Sequence, residues 1–99
     1  MGEVYVNTIR QNRDTLVAVC DAELLGCTLE GGRVPFEVSE RFYGGSLSSL
    51  EEALEAMRKA TISNIVGKKI VEAAIGKEMV QKTAVIYIGD IPHAQIVHL

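Results

Sequence analysis

Hydrophobic and polar positions change their period repeatedly along the chain, and each change predicts an element. Val4-Tyr5-Val6-Asn7-Thr8-Ile9 is rich in β-branched and aromatic residues and partly alternates. Gln11-Asn12-Arg13-Asp14 breaks it, and Leu16-Val17-Ala18-Val19-Cys20 follows. This predicts a β-hairpin whose second strand, apolar on both sides, lies inside a covered sheet or under a helix. Asp21 then reads as the N-cap of a short helix over Ala22-Glu23-Leu24-Leu25 that stops at Gly26. After Gly31-Gly32, Val34, Phe36 and Val38 alternate with Pro35 and Glu37, the pattern of a half-buried strand that Pro35 confines to an edge.

Helical spacing takes over beyond the glycine pair Gly44-Gly45. Ser48-Ser49-Leu50-Glu51 reads as a Ser-x-x-Glu capping box, and Leu47, Leu50, Leu54 and Met57 recur at three and four residues. Thr61-Ile62-Ser63-Asn64 restarts the chain, and Ile62, Ile65, Val66, Ile70, Ala73 and Ala74 form a second stripe ended by Gly76. Gly67, inside that stripe, costs a helix roughly 1 kcal/mol relative to Ala, so its use is close approach to a neighbour. Ala84–Ile88 and Ala94–His98 flank Gly89-Asp90-Ile91-Pro92-His93, a closing hairpin. The order is therefore strand, strand, short helix, strand, helix, helix, strand, strand. That order predicts an α+β fold, a mainly antiparallel sheet with two helices packed on one face.

Composition sharpens this picture only a little. Ninety-nine residues with 47% hydrophobic content predict one domain over 1–99. No run approaches the roughly 18 apolar residues of a membrane span, so a cytoplasmic protein without membrane contact is expected. Cys20 and Cys27 have neither redox nor zinc spacing and read as reduced, packed thiols. With two His at unrelated positions, no metal site and no cofactor are predicted. No phosphate loop, dinucleotide fingerprint or nucleophile elbow occurs, so the enzyme classes those motifs define have no support.

Charge is unevenly distributed. Net charge is −3, yet from Arg58 to Lys82 six cations face only Glu72 and Glu78. Such asymmetry predicts either a basic face for phosphates or two helices with differently charged solvated surfaces.

Chemistry concentrates in Ser39-Glu40-Arg41-Phe42-Tyr43-Gly44-Gly45, which places an acceptor, a rigid donor fork, aromatic rings and two glycines between a strand and a helix. The block reads as a binding loop in which Arg41 and free amides hold a ligand while Tyr43 or Phe42 stacks on a flat group. It reads equally as a connector with Phe42 in the core, Arg41 paired to Glu37 or Glu40, and glycines serving turn geometry. The candidate ligand-binding set is Ser39, Glu40, Arg41, Tyr43, Gly44, Gly45, Asn64, His93 and Gln95. The candidate nucleic-acid surface is Arg41, Tyr43, Lys68, Lys69 and Lys77. No catalytic residue is assigned.

Four segments carry a resemblance: Ala18 to Gly26, Glu37 to Gly45, Asn64-Ile65-Val66-Gly67 and Ile91 to Val97. Together they resemble DUF424, a small archaeal family known only as a domain of unknown function. The resemblance implies an archaeal cytoplasmic source and a connection to RNA or translation. The leading expectation is thus a non-catalytic binding module for RNA or a translation component. A small enzyme or small-molecule sensor with a cleft at Glu40, Arg41, Asn64 and His93 is the alternative, and a homodimer along a sheet edge is a third.

Overall fold

The protein is described by a computed structural model covering residues 2–98. Strands β1 (Val4–Gln11) and β2 (Asp14–Asp21) form the predicted hairpin, closed by a two-residue turn in which Asn12 takes φ 57°. Asn tolerates that left-handed conformation better than most residues, and the turn's twist matches that of the strands. Asp21 was expected to cap the segment after it. Instead Ala22–Leu24 is a single 3-10 turn with no side-chain cap, and the Asp21 carboxylate is engaged elsewhere.

A two-stranded ribbon, β3 (Thr28–Leu29) with β4 (Phe36–Glu37), leads to the one-turn helix α1 (Glu40–Tyr43). The alternating strand expected from Val34 to Val38 shrinks to two residues, because Val34 stands in solvent and only Phe36 and Val38 turn inward. Strand β5 (Ser46–Ser48) pairs with β1, so Leu47, read as the start of a helical stripe, is an exposed strand residue. Helix α2 (Leu50–Lys59) begins one residue later than the sequence pattern suggested. Its capping box is Ser49 with Glu52, not Ser48 with Glu51.

The largest departure follows. Residues Ile62–Val66 form strand β6, and only Lys68–Gly76 is helix α3. The spacing of Ile62, Ile65 and Val66 suits a helix face, but Gly67 has φ 122°, which no helix interior accommodates. It ends the strand and stands at the N-cap of α3. A 3-10 turn at Lys82–Ala84 precedes the closing hairpin of β7 (Ile86–Ile88) and β8 (Ile91–Val97). The two long helices are therefore separated by a strand within the α+β class.

The sheet runs β5-β1-β2-β6-β8-β7. Every neighbouring pair is antiparallel except β2 and β6, which are parallel. Alternation divides it into two faces. On one, Val17, Val19, Ile65 and Ala94 meet Leu54, Met57, Ile70 and Val71 of α2 and α3. On the other, Ala18, Cys20 and Val66 are covered by Leu29, Val38 and Tyr43. Strand β2 is thus buried on both sides, which accounts for its uninterrupted apolar run.

Candidate binding face

Helix α1 is fixed by Ser39, whose Oγ accepts from the Arg41 and Phe42 amides at 3.1 and 3.3 Å. This is an N-cap, satisfying donors that a single turn would otherwise leave free. The turn points Glu40 and Arg41 into solvent and sends Tyr43 inward, where it is 3% exposed. The expected stacking role of Tyr43 is corrected by this burial: its ring packs beside Cys20 and Val66 and edge-on to Phe42 at 4.9 Å. Burial pushes its hydroxyl up to about 12. The glycines also serve packing. Gly44 donates to the Glu40 carbonyl at the end of α1, and a Cβ on Gly45 would overlap the Val6 carbonyl and Asn7 Cα of β1. The backbone they approach closely is the protein's own.

The lysines lie elsewhere. Lys68 and Lys69 open α3 and Lys77 closes it, roughly 13 Å away at 1.5 Å per residue. All three are exposed. Lys69 reaches Glu23 at 3.9 Å, a loose surface pair of small energetic weight. Helix α3 packs on one sheet face and α1 on the other.

Asn64, Gln95 and His93 share the face that carries α1. Register places Asn7, Ala18, Asn64 and Gln95 in one row across β1, β2, β6 and β8. The next row toward the open end is Ile9, Leu16, Ile62 and Val97. Asn7 Nδ2 donates to the Phe42 carbonyl at 2.8 Å, tying the row to α1. Among the described residues, neither Asn64 nor Gln95 has a side-chain hydrogen-bond partner, and Gln95 and Val97 are exposed.

His93 sits one step further, opposite Val66 and Ile86, with Phe36 edge-on at 5.3 Å. Burial alone lowers its pKa from 6.5; no charged neighbour contributes. Asn64 and His93 are diagonal neighbours about 7–8 Å apart, beyond a direct hydrogen bond. Glu40 extends instead toward Gly26, its Oε2 3.8 Å from where a Cβ would stand. The cleft of Glu40, Arg41, Asn64 and His93 is not assembled by hydrogen bonds or ion pairs among the described residues.

Cys20 is buried, and burial followed by the adjacent Asp21 charge pushes its thiol up to about 11; Cys27 is exposed. No group of three or more His, Cys, Asp or Glu among the described residues is placed to hold a metal ion. Nor is any helix among them long and apolar enough to cross a membrane.

Two features escaped the sequence reading. One is the helix that Asp21 caps: the residue is 2% exposed, and its carboxylate accepts from the Lys69 and Ile70 amides at 2.9 and 3.1 Å and so caps α3 across 48 residues. The other is a groove of about 420 Å³ where Thr8, Arg10 and Thr15 of the hairpin face Glu52, Glu55 and Lys59 of α2. Its signal was present but divided. Alternation puts Thr8 and Arg10 on one strand face, and helical spacing groups Glu52, Glu55 and Lys59, yet only the fold joins the sets.

A family described as "Protein of unknown function (DUF424)" matches residues 9–99. The fold is similar to the crystal structure of an uncharacterized conserved protein from Methanopyrus kandleri. The TM-score is 0.81 at 22% identity, covering 97% of this chain and 93% of the other. No curated protein matches the chain.

Proposed function

The chain belongs to the DUF424 family, and we propose that it is a non-catalytic module that binds single-stranded RNA, or an RNA-bearing translation component, on the open half of its sheet. The observation carrying this reading is the cross-strand row that presents the unpartnered amides of Asn64 and Gln95. Amide side chains offer a donor and an acceptor together, which suits the hydrogen-bonding edges of unpaired bases. Leu16, Ile62 and Val97 supply an apolar floor beside them, and Arg41 stands exposed on α1, next to the carbonyl that anchors Asn7. Tyr43 has no part in the interface. With no exposed ring in the row, contact with bases is aliphatic and polar, so binding is weaker than on an aromatic platform.

Fluorescence anisotropy with a labelled oligoribonucleotide of about ten nucleotides tests the reading. Binding is expected at about 50 mM salt and weakens as salt rises, because phosphate contacts release counterions. Asn64→Ala and Arg41→Ala each reduce it without changing the melting temperature. Absence of binding at low salt removes RNA as the partner.

A second reading has its own observation. β7 pairs with β8 only over Ile91–His93, so among the described residues the outer edge of β8 from Ala94 to Val97 has no strand beside it. An antiparallel copy of the same edge would complete it, giving a homodimer. Light scattering that finds only monomer at high concentration rejects this arrangement.

A further inference from the structure

We propose that the groove between the β1–β2 hairpin and α2 is a binding site for a free α-amino acid. The site lies on the helix-covered face and is independent of the RNA reading. Two acids and two bases line it, and their engagements differ. Glu52 Oε1 accepts from the Ser49 amide and hydroxyl at 3.0 and 3.2 Å, and these bonds lower its pKa, keeping it ionised. Glu55 Oε1 pairs with Arg58 at 3.2 Å. One oxygen of each carboxylate is thus held along the helix and the other remains. Arg10 and Lys59, on facing walls, have no acid at ion-pair distance among the described residues. The hydroxyls of Thr8 and Thr15 make no hydrogen bond as donors or acceptors there, while the Thr15 backbone is held by Thr61. The floor is apolar, made by Val17 and Ala56.

Charge decides the ligand class. A neutral apolar molecule would strip water from four charged groups without replacing it. A polyphosphate would meet Arg10 and Lys59 favourably but would be repelled by Glu52 and Glu55. A zwitterion suits all four. Its carboxylate lies between Arg10 and Lys59, with the guanidinium fork available for two-point contact, and its ammonium lies on the remaining oxygens of Glu52 and Glu55. The Val17 and Ala56 floor then favours a small aliphatic side chain. The groove's volume is near the lower end of small-molecule sites, roughly 300–1,000 Å³.

Amide NMR of the intact chain, titrated with each free amino acid to about 10 mM, reads the site directly, since millimolar affinity is the floor for such a contact. Shifts are expected at Thr8, Thr15, Val17 and Ala56 for aliphatic amino acids, with the matched amine and the matched carboxylate each binding at least about tenfold more weakly. Arg10→Gln and Lys59→Gln each lose about tenfold, Glu55→Gln loses affinity for the amino acid but not for the carboxylate analogue, and Glu72→Gln, exposed on α3 outside the groove, leaves amino-acid affinity unchanged. All the altered groove residues are exposed, and an unchanged melting temperature confirms that each variant folds. The assignment is overturned if no amino acid moves the groove amides. It is equally overturned if the carboxylate analogue binds as tightly as the amino acid, or if affinity survives the Arg10→Gln, Lys59→Gln double change.

Discussion

Asp21 and Gly67 illustrate how one contact constrains two residues far apart in sequence. The carboxylate takes the Lys69 and Ile70 amides in the first turn of α3, and a Cβ on Gly67 would overlap it. Asp21→Ala strands one buried and one part-buried amide, each costing about 1–3 kcal/mol, so a loss of about 2–4 kcal/mol is expected by urea denaturation, with Asp21→Asn milder because one acceptor survives. Gly67→Ala should be comparably harmful, from strain at φ 122° as well as overlap. Ser63 is the opposite case: its Oγ is buried and unpartnered on the helix-covered face. Ser63→Ala removes an unsatisfied polar group and should raise stability by about 1 kcal/mol in the same assay. At this scale the sequence was half informative. Gly67 stood out as a packing glycine and Asp21 as a cap, but the helix each serves was misassigned, because caps supplied from another strand leave no local pattern.

Elements with one unambiguous period were legible. The β1–β2 hairpin and α2 have it, and both formed within a residue or two of expectation. Met57 is fully buried beneath α2, so Met57→Ala should cost about 2–5 kcal/mol by loss of transfer energy and creation of a cavity. Thermal unfolding measured by circular dichroism checks this, against Glu51→Ala on the exposed side, which should change little. β6 was misread because Ile62, Ile65 and Val66 satisfy helical spacing, while alternation over five residues is too short to outvote it. Tertiary burial settled the matter: the strand lies between β2 and β8, and Ser63 and Ile65 point to one face, Asn64 and Val66 to the other. The Ser39–Gly45 block shows the same limit. Its composition suits a pocket and a plug alike, and only the packing of α1 against the sheet turns Tyr43 inward and leaves Arg41 outside.

Whole-molecule behaviour joins these local facts through titration. Asp21 binds its proton more tightly folded than unfolded, since burial raises its pKa above 3.8 despite the two amide bonds. Its contribution is therefore largest in acid and declines as pH climbs from 3.8 through the raised value. His93 acts in the reverse sense. Its folded pKa is depressed, so its contribution is complete above about 6.5 and fades as pH falls below that value. His93→Gln should flatten the loss of stability between about pH 6.5 and 5, measured as the urea midpoint against pH. A slope unchanged by the substitution would assign the acid sensitivity elsewhere.

The position of β6 carries a last consequence for how the chain matures. Val17 waits for Ser63 and Ile65 waits for Ala94, so the β1–β2 ribbon gains its inner neighbour only when translation has passed the sixties, and the seam between β6 and β8 only when it has reached the nineties. Half-made chains would leave a greasy central strand bare on the ribosome, and ordering should arrive late and in a single cooperative step.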